Sequence, residues 1–415
     1  MIRRPALILA LLTGLNLLNY VDRTVLAAVL PRVQKDLALG EAQGGWLATA
    51  FLVGYFVASP IFGWLGDRGA PRKLLLGLGV LVWSVATFAS GQTHGFVAML
   101  AARAVVGVGE ASYAAVAPTI IDDIAPAEKK GRWLAWFYLA IPVGSAIGYL
   151  LGGFIEARLG WRAAFTLVGG PGAVLAITCA LIRDPAHGRV AERGAARDVA
   201  PLLREPLYLR AVLGYALFTF ALGGFAHWAP KFIHEVHGES LERANFLFGV
   251  ILVVAGLVGT NVGGAWGDRL ARTGRFGEGE RGEAVAHLRV CAAASMLGAP
   301  FAVLCLLSPS AVGFYALIFL AEAALFLSPS PVNAAILRAA PHSIRTSAMA
   351  ISTFAIHALG DLWSPPLVGA VADRAPWRAA MMLLPLAIAA SALVWRVRPR
   401  GPAGPAAPAR GPVNG

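Results

Sequence analysis

GWLGDR, Gly63–Arg68, returns in degenerate form as GAWGDR, Gly264–Arg269. The copies share GxxGDR, lie 201 residues apart, and close the second and the eighth of twelve hydrophobic runs. A motif repeated at the same place in two sets of six runs divides the chain into parallel halves, and parallel repeats of membrane helices are a transport architecture. The expected organisation is an all-α membrane protein of twelve transmembrane helices. An N-terminal six-helix bundle covers residues 1–183 and a second covers 208–396. A polar linker, 184–207, joins them, and a Pro-, Gly- and Ala-rich tail, 397–415, is expected to be disordered.

Composition agrees with this reading. Of the 415 residues, 57% are hydrophobic and 14% are charged. A soluble domain carries about 25% charged residues. The net charge of +12 would suggest nucleic acid in a soluble chain. Here the placement of the charges gives another explanation. If both termini are cytoplasmic, twenty-five of the 35 lysines and arginines fall on the cytoplasmic side and eight on the other, with Arg23 and Arg103 inside spans. That bias is the positive-inside pattern, so no nucleic-acid partner is implied. Met1–Pro5 leads straight into a run too long for a signal peptide, which reads as the first span. Abundant Arg and Ala point to a bacterial inner membrane as the location.

Cys179, Cys291 and Cys305 have no metal-like spacing and read as packing residues. There is no P-loop, so ATP-driven pumping has no support, and neither an enzyme, a cofactor nor a metal is expected.

GWLGDRGAPRK, Gly63–Lys73, resembles the loop signature of the major facilitator superfamily. The resemblance covers essentially the whole chain, and in that family the acid pins the inner ends of neighbouring helices. It implies conformational gating by Asp67, Arg68 and Arg72; Arg68, Arg72 and Lys73 can bridge to acids such as Asp122 and Asp123 at the inner end of span 4, Asp122 being counted with the gate. Asp268 and Arg269 would act likewise in the second half. Three further stretches, Asn19–Pro31, Arg103–Thr119 and His357–Arg374, together resemble the spinster family. That resemblance implies that Asp22, Arg23, Arg103 and Glu110 form a coupling and substrate-recognition cluster. Gly144, Gly148, Gly152 and Gly153 follow the spacing of the antiporter motif of drug–proton exchangers. Tyr149 stands where that motif has proline, which favours plain helix packing.

Charges inside a span are costly and mark function. At about 1.5 Å per residue, Asp22 and Arg103 both lie roughly 12 Å below the outer surface and can meet if spans 1 and 4 are neighbours. Glu110, two helical turns beyond Arg103, lies about 10 Å deeper. Desolvation favours the neutral form of a carboxyl and a nearby guanidinium favours the charged form, so Asp22 and Glu110 are expected to couple protons. Arg23 and Arg103 are expected to bind an anionic substrate, since the guanidinium fork suits phosphate. Asn16, Tyr20 and Tyr113 are expected to line the cavity, and Glu322 is the counterpart in span 10. His357 and Asp361 can pair across one turn of span 11, where Pro365-Pro366 should break the helix. His227 and Trp228 read as interfacial belt residues.

The expected function is proton-coupled transport, by a monomer, of an amphipathic anionic lipid such as a lysophospholipid or a sphingosine-phosphate-like molecule. The alternative is an exporter of drugs or small organic anions. Membrane lipids, protons and the substrate are the expected partners.

Overall fold

A computed structural model describes residues 4–68, 70–126, 129–182 and 199–397. Most of the expected linker and nearly all of the expected tail lie outside the described residues. The first half contains α1 (Pro5–Leu37), α2 (Glu41–Asp67), α3 (Arg72–Ser90), α4 (Phe96–Ile124), α5 (Lys130–Leu159) and α6 (Trp161–Ala180). A short helix, α7 (Ala200–Arg204), precedes the second half. That half begins with α8 (Pro206–His237), α9 (Leu241–Arg272) and α10 (Gly279–Leu307). Its last three crossings are broken. The tenth is α11 (Ala311–Leu325) plus α12 (Pro329–Ala339). The eleventh is α13 (Arg345–Ile356), a π-helical turn over His357–Asp361, and α14 (Ser364–Ala372). The twelfth is α15 (Trp377–Met381) plus α16 (Leu383–Trp395).

Eleven helical stretches among the described residues are long and apolar enough to cross a membrane, the tenth and twelfth taken across their breaks. The eleventh crossing is the one left out, and its chemistry explains why. Pro365 and Pro366 occupy the first turn of α14, where they cannot donate to the preceding turn. The ladder upstream relaxes into the π turn, whose free carbonyls recruit Trp363 Nε1 onto Ala358 O at 2.8 Å. The break foreseen at the proline pair is therefore present, with a wider turn before it.

The internal repeat is visible in the packing. Helices α1 and α5, α2 and α4, and α3 and α6 pair in the first half. The seventh and eleventh crossings, the eighth and tenth, and the ninth and twelfth pair equivalently in the second. The outer surfaces are apolar and exposed, with Val57, Val97, Val312 and Leu393 facing outward, as a lipid-solvated bundle requires. Cys179, Cys291 and Cys305 are free and buried.

Twelve crossings bring the start of α1 and the end of α16 to one face, called here the terminal face; the opposite side is the distal face. Among the described residues, the hydrogen bonds joining the two halves cluster at the distal end. They include Thr49 Oγ1 to Leu362 O at 2.6 Å, Asn245 Nδ2 to Ala28 O at 2.9 Å and Arg158 to Glu242 at 3.1 Å. Gly45 allows the closest approach there, because a Cβ at that position would collide with the backbone at Pro365–Pro366. The halves thus meet distally, and a cavity opens between them toward the terminal face.

Candidate functional site

Helices α1 and α4 run antiparallel, so depth along one can be matched to depth along the other. Asp22 and Arg103 meet as the helix rise predicts, with Arg103 Nη1 at 3.3 Å from Asp22 Oδ1. Both side chains are almost fully buried, and Thr87 Oγ1 on α3 donates a second bond to Asp22. The next residue on α1 does something else. Arg23 Nε donates to Glu110 Oε2 at 2.7 Å, and the other Glu110 oxygen is buried without a partner. Side chains on a helix lean toward its N-terminus. Arg23 therefore leans toward the terminal face and Glu110 leans distally, which closes the gap that the depths of their backbones suggested.

Arg23 is also enclosed by rings. Its guanidinium carbon lies 4.8 Å from the Tyr20 centroid, 4.9 Å from Phe51 and 5.3 Å from Tyr55. Each such contact contributes about 0.5–2 kcal/mol and holds the cation where water is scarce. Two cavities share this arginine. The larger, about 330 Å³, lies on its terminal side and is lined by Asn16, Tyr20, Tyr113, Phe137 and His357. The smaller, about 260 Å³, lies on its distal side against Arg103, His227 and Asp361. Tyr20, Arg23 and Leu52 line both, so these residues form the partition between them. Arg23 is the guanidinium among the residues that line the terminal-side cavity.

Asp22 plays a different structural part. It is the carboxylate that keeps Arg103 neutralised, and Arg103 Nε already lacks a partner. Asp22→Asn is expected to destabilise the protein by about 3–5 kcal/mol, as breaking a buried ion pair does. The check is the thermal unfolding midpoint in detergent, and an unchanged midpoint would show that Arg103 does not depend on Asp22.

The other expected site residues fall in several places. Asn16, Tyr20 and Tyr113 line the cavity; Asn16 donates to Phe137 O at 2.9 Å and Tyr113 to Leu12 O. His357 lies within 2.9 Å of both Asp361 oxygens inside the π turn and faces the cavity. Glu322 is fully buried in α11 with neither carboxyl oxygen hydrogen-bonded, and it does not line either cavity beside Arg23. The structure therefore does not bring it to the cavities around Arg23. The small-residue seam of α5 packs on α1: a Cβ at Gly148 would collide with Thr24 Oγ1 and the Val21 carbonyl. This is close helix packing.

At the terminal face, Arg72 pairs with Asp123 at 2.7 Å and donates to Thr119 Oγ1 at 3.1 Å. Asp123 takes this bond, and Asp122 is exposed beside it. Arg68 stacks on Trp64 at 3.9 Å. The side chain of Asp67 lies outside the described residues. In the second half, Asp268 approaches His287 Nε2 at 3.5 Å, and Arg269 is exposed.

Sequence reasoning missed a cluster at the distal face. Lys231, on α8, is buried and donates to both Glu41 oxygens, at 2.8 and 2.6 Å, and to Gln34 Oε1 at 2.5 Å. Gln34 Nε2 reaches Glu41 Oε2 and Gly40 O, each at 3.0 Å. Asp373 accepts from the amides of Glu41 and Ala42, at 2.7 and 3.0 Å, and so caps α2 from the other half. His227 and Trp228, expected in an interfacial belt, are buried instead. Trp228 donates to Pro365 O at 3.0 Å, because the halves close over this end of α8. The missed signal was a lysine on the distal side, which read as a topology charge.

Twelve helices in two repeated bundles, with a charged cavity between them, define a transporter of the major facilitator superfamily; the Major Facilitator Superfamily model matches residues 12–360. The chain belongs to the spinster family within it. It is 34% identical over 398 residues to human Protein spinster homolog 1, covering 89% of this chain and 74% of that protein. It is 32% identical over 432 residues to the Arabidopsis thaliana Probable sphingolipid transporter spinster homolog 2, covering 95% and 86%. Among solved structures it shares the fold of a bacterial homolog of the human lysosomal transporter Spinster, in an inward-facing and occupied conformation. The TM-score is 0.81 at 20% identity, over 95% of this chain and 97% of that one.

Proposed function

We propose that this transporter moves an amphipathic anion, a lysophospholipid or sphingolipid-phosphate class molecule, and couples the movement to protons. The observation that carries the reading is Arg23, a guanidinium on the wall of an aromatic-lined cavity, held by a single buried carboxylate. An anionic headgroup that takes the guanidinium releases Glu110. A carboxylate buried without a cation is costly, so Glu110 takes up a proton at that moment. Anion binding and proton uptake are thereby linked through one arginine, with Asp22 as the second candidate proton site behind it. The rings around Arg23 favour a substrate with apolar mass beside its charge. The sphingolipid transporter relatives support the same class.

The protein works as a monomer in a bacterial inner membrane, with the terminal face cytoplasmic by the positive-inside bias. In that orientation, distal contact between the halves corresponds to a state open to the cytoplasm. Asp67, Arg68, Arg72 and Asp123 act at the terminal-face gate, joined by Asp268 and Arg269 in the second half. In proteoliposomes, an imposed pH gradient should change lysophospholipid flux, and lysolipids should displace a bound probe at concentrations where short-chain phosphates and cationic drugs do not. Flux indifferent to the gradient removes the coupling. Displacement by small organic anions or drugs alone moves the substrate to the alternative class.

A further inference from the structure

We infer that the second bundle carries, at the terminal face and away from the transport cavity, a binding site for the phosphate headgroup of an anionic membrane phospholipid. A cavity of about 620 Å³ opens where α8 and α10 begin and α16 ends. Three guanidiniums line it, from Arg210, Arg281 and Arg396, against one carboxylate, Glu278. Arg281 is steered by Glu205 at 3.2 Å, and Glu205 is itself fixed by accepting the Leu207 amide at 3.2 Å. Arg210 and Arg396 have no ion-pair partner among the described residues. Phe276 forms part of the wall, with the Arg289 guanidinium 5.6 Å from its ring on α10. The cavity is therefore cationic, and two of its guanidiniums are uncommitted. Phosphate is the anion whose geometry and charge such a group accepts best.

The surroundings distinguish a lipid from a soluble phosphate. Helical spacing puts Leu213 one turn toward the membrane from Arg210, and Leu393 one turn from Arg396. Both leucines are outward-facing, at 48% and 70% exposure. A phosphate in the cavity would thus have an apolar surface rising directly above it, on which acyl chains can lie. Basic pockets between spans at a membrane face are suited to anionic headgroups.

Native mass spectrometry on the full-length protein in detergent tests this, with phosphatidylglycerol as the probe, phosphatidylcholine as the zwitterionic control and inorganic phosphate as the soluble one. Phosphatidylglycerol should bind in preference to both. An R210Q/R396Q double variant should lose roughly twenty-five-fold in affinity, about fivefold per guanidinium. Both side chains are exposed, so folding should be unaffected; an unchanged unfolding midpoint checks that. R23Q should retain the phosphatidylglycerol adduct, which separates this site from the transport cavity. Equal binding of phosphatidylcholine, or an adduct that survives R210Q/R396Q, overturns the site. Loss of the adduct in R23Q alone assigns the lipid to the transport cavity and overturns it as well. Inorganic phosphate competing at concentrations comparable to those of the lipid overturns the lipid assignment.

Discussion

Glu110→Gln is expected to lower the initial rate of pH-driven substrate uptake about a hundredfold, a loss of about 2.7 kcal/mol in transition-state terms. Exchange of labelled for unlabelled substrate without a pH gradient should continue. The difference follows from the geometry. Glu110 is fully buried, bonds Arg23 through one oxygen at 2.7 Å, and leaves the other without a partner. Glutamine keeps the volume and one acceptor for Arg23, so the cavity and the anion site survive. Under the proposed coupling, what it loses is the charge to be neutralised when substrate takes the arginine. Without that charge, substrate movement no longer carries a proton, and a proton gradient has nothing to act on. The measurement is uptake into proteoliposomes with and without an imposed gradient, alongside counterflow at equal pH. Full gradient-driven uptake by the variant would place the proton elsewhere, and loss of counterflow as well would make Glu110 a substrate ligand or a structural group.

The path from sequence to this site shows what local pattern can and cannot carry. The repeated GxxGDR and the positions of charges within hydrophobic runs identify the two-bundle architecture, because bilayer thickness and charge cost constrain a membrane chain strongly. The Asp22–Arg103 pair followed from helix rise with spans 1 and 4 as neighbours, as the family resemblance implies. The Arg23–Glu110 pair did not, because depth was counted along backbones. A long side chain leaning along its helix carries its charge well away from its own backbone level, and opposed leans in antiparallel helices add. Glu322 misled for the converse reason. Its position by pseudo-symmetry matches that of Glu110, yet the second bundle presents no arginine to it and packs it away from the cavity.

The distal cluster was illegible for a different reason. Gln34, Glu41, Lys231 and Asp373 are ordinary residues near span ends, and Glu41 and Lys231 are 190 residues apart. Nothing on either segment marks a partner, and only the closure of one bundle against the other brings them together. The π turn at His357–Asp361 was likewise hidden. Pro365-Pro366 predicts a break, but whether the ladder upstream stays α or widens depends on packing against Thr219, whose hydroxyl donates to Ile356 O at 2.8 Å.

Lys231→Met should release the distal closure. The lysine binds Glu41 and Gln34 from the opposite bundle, and its ammonium lies 5.3 Å from the Trp377 ring. Methionine keeps much of the stem's volume but leaves Glu41 without its cation. A fully buried pair broken this way costs about 3–5 kcal/mol. Glu41 keeps 23% of its side-chain exposure, so a discounted loss of about 2–3 kcal/mol is expected. If the contact exists only when the halves are closed distally, that loss shifts the balance toward the distally open state by roughly thirty- to 150-fold. The readout is labelling of a cysteine placed at Ala27 or Ala48, which line the distal chamber, by a membrane-impermeant maleimide, with the three buried native cysteines replaced. Labelling from the distal side should rise at least tenfold in Lys231→Met and in Glu41→Gln, and the double variant should add little to either, since both remove the same bond. Asp373→Asn should act in the same direction but less, because the amide still offers one acceptor to the α2 amides. Unchanged labelling in Lys231→Met would mean that helix packing around Gly45 and Pro365 closes this face by itself, and that the ion pair only follows it.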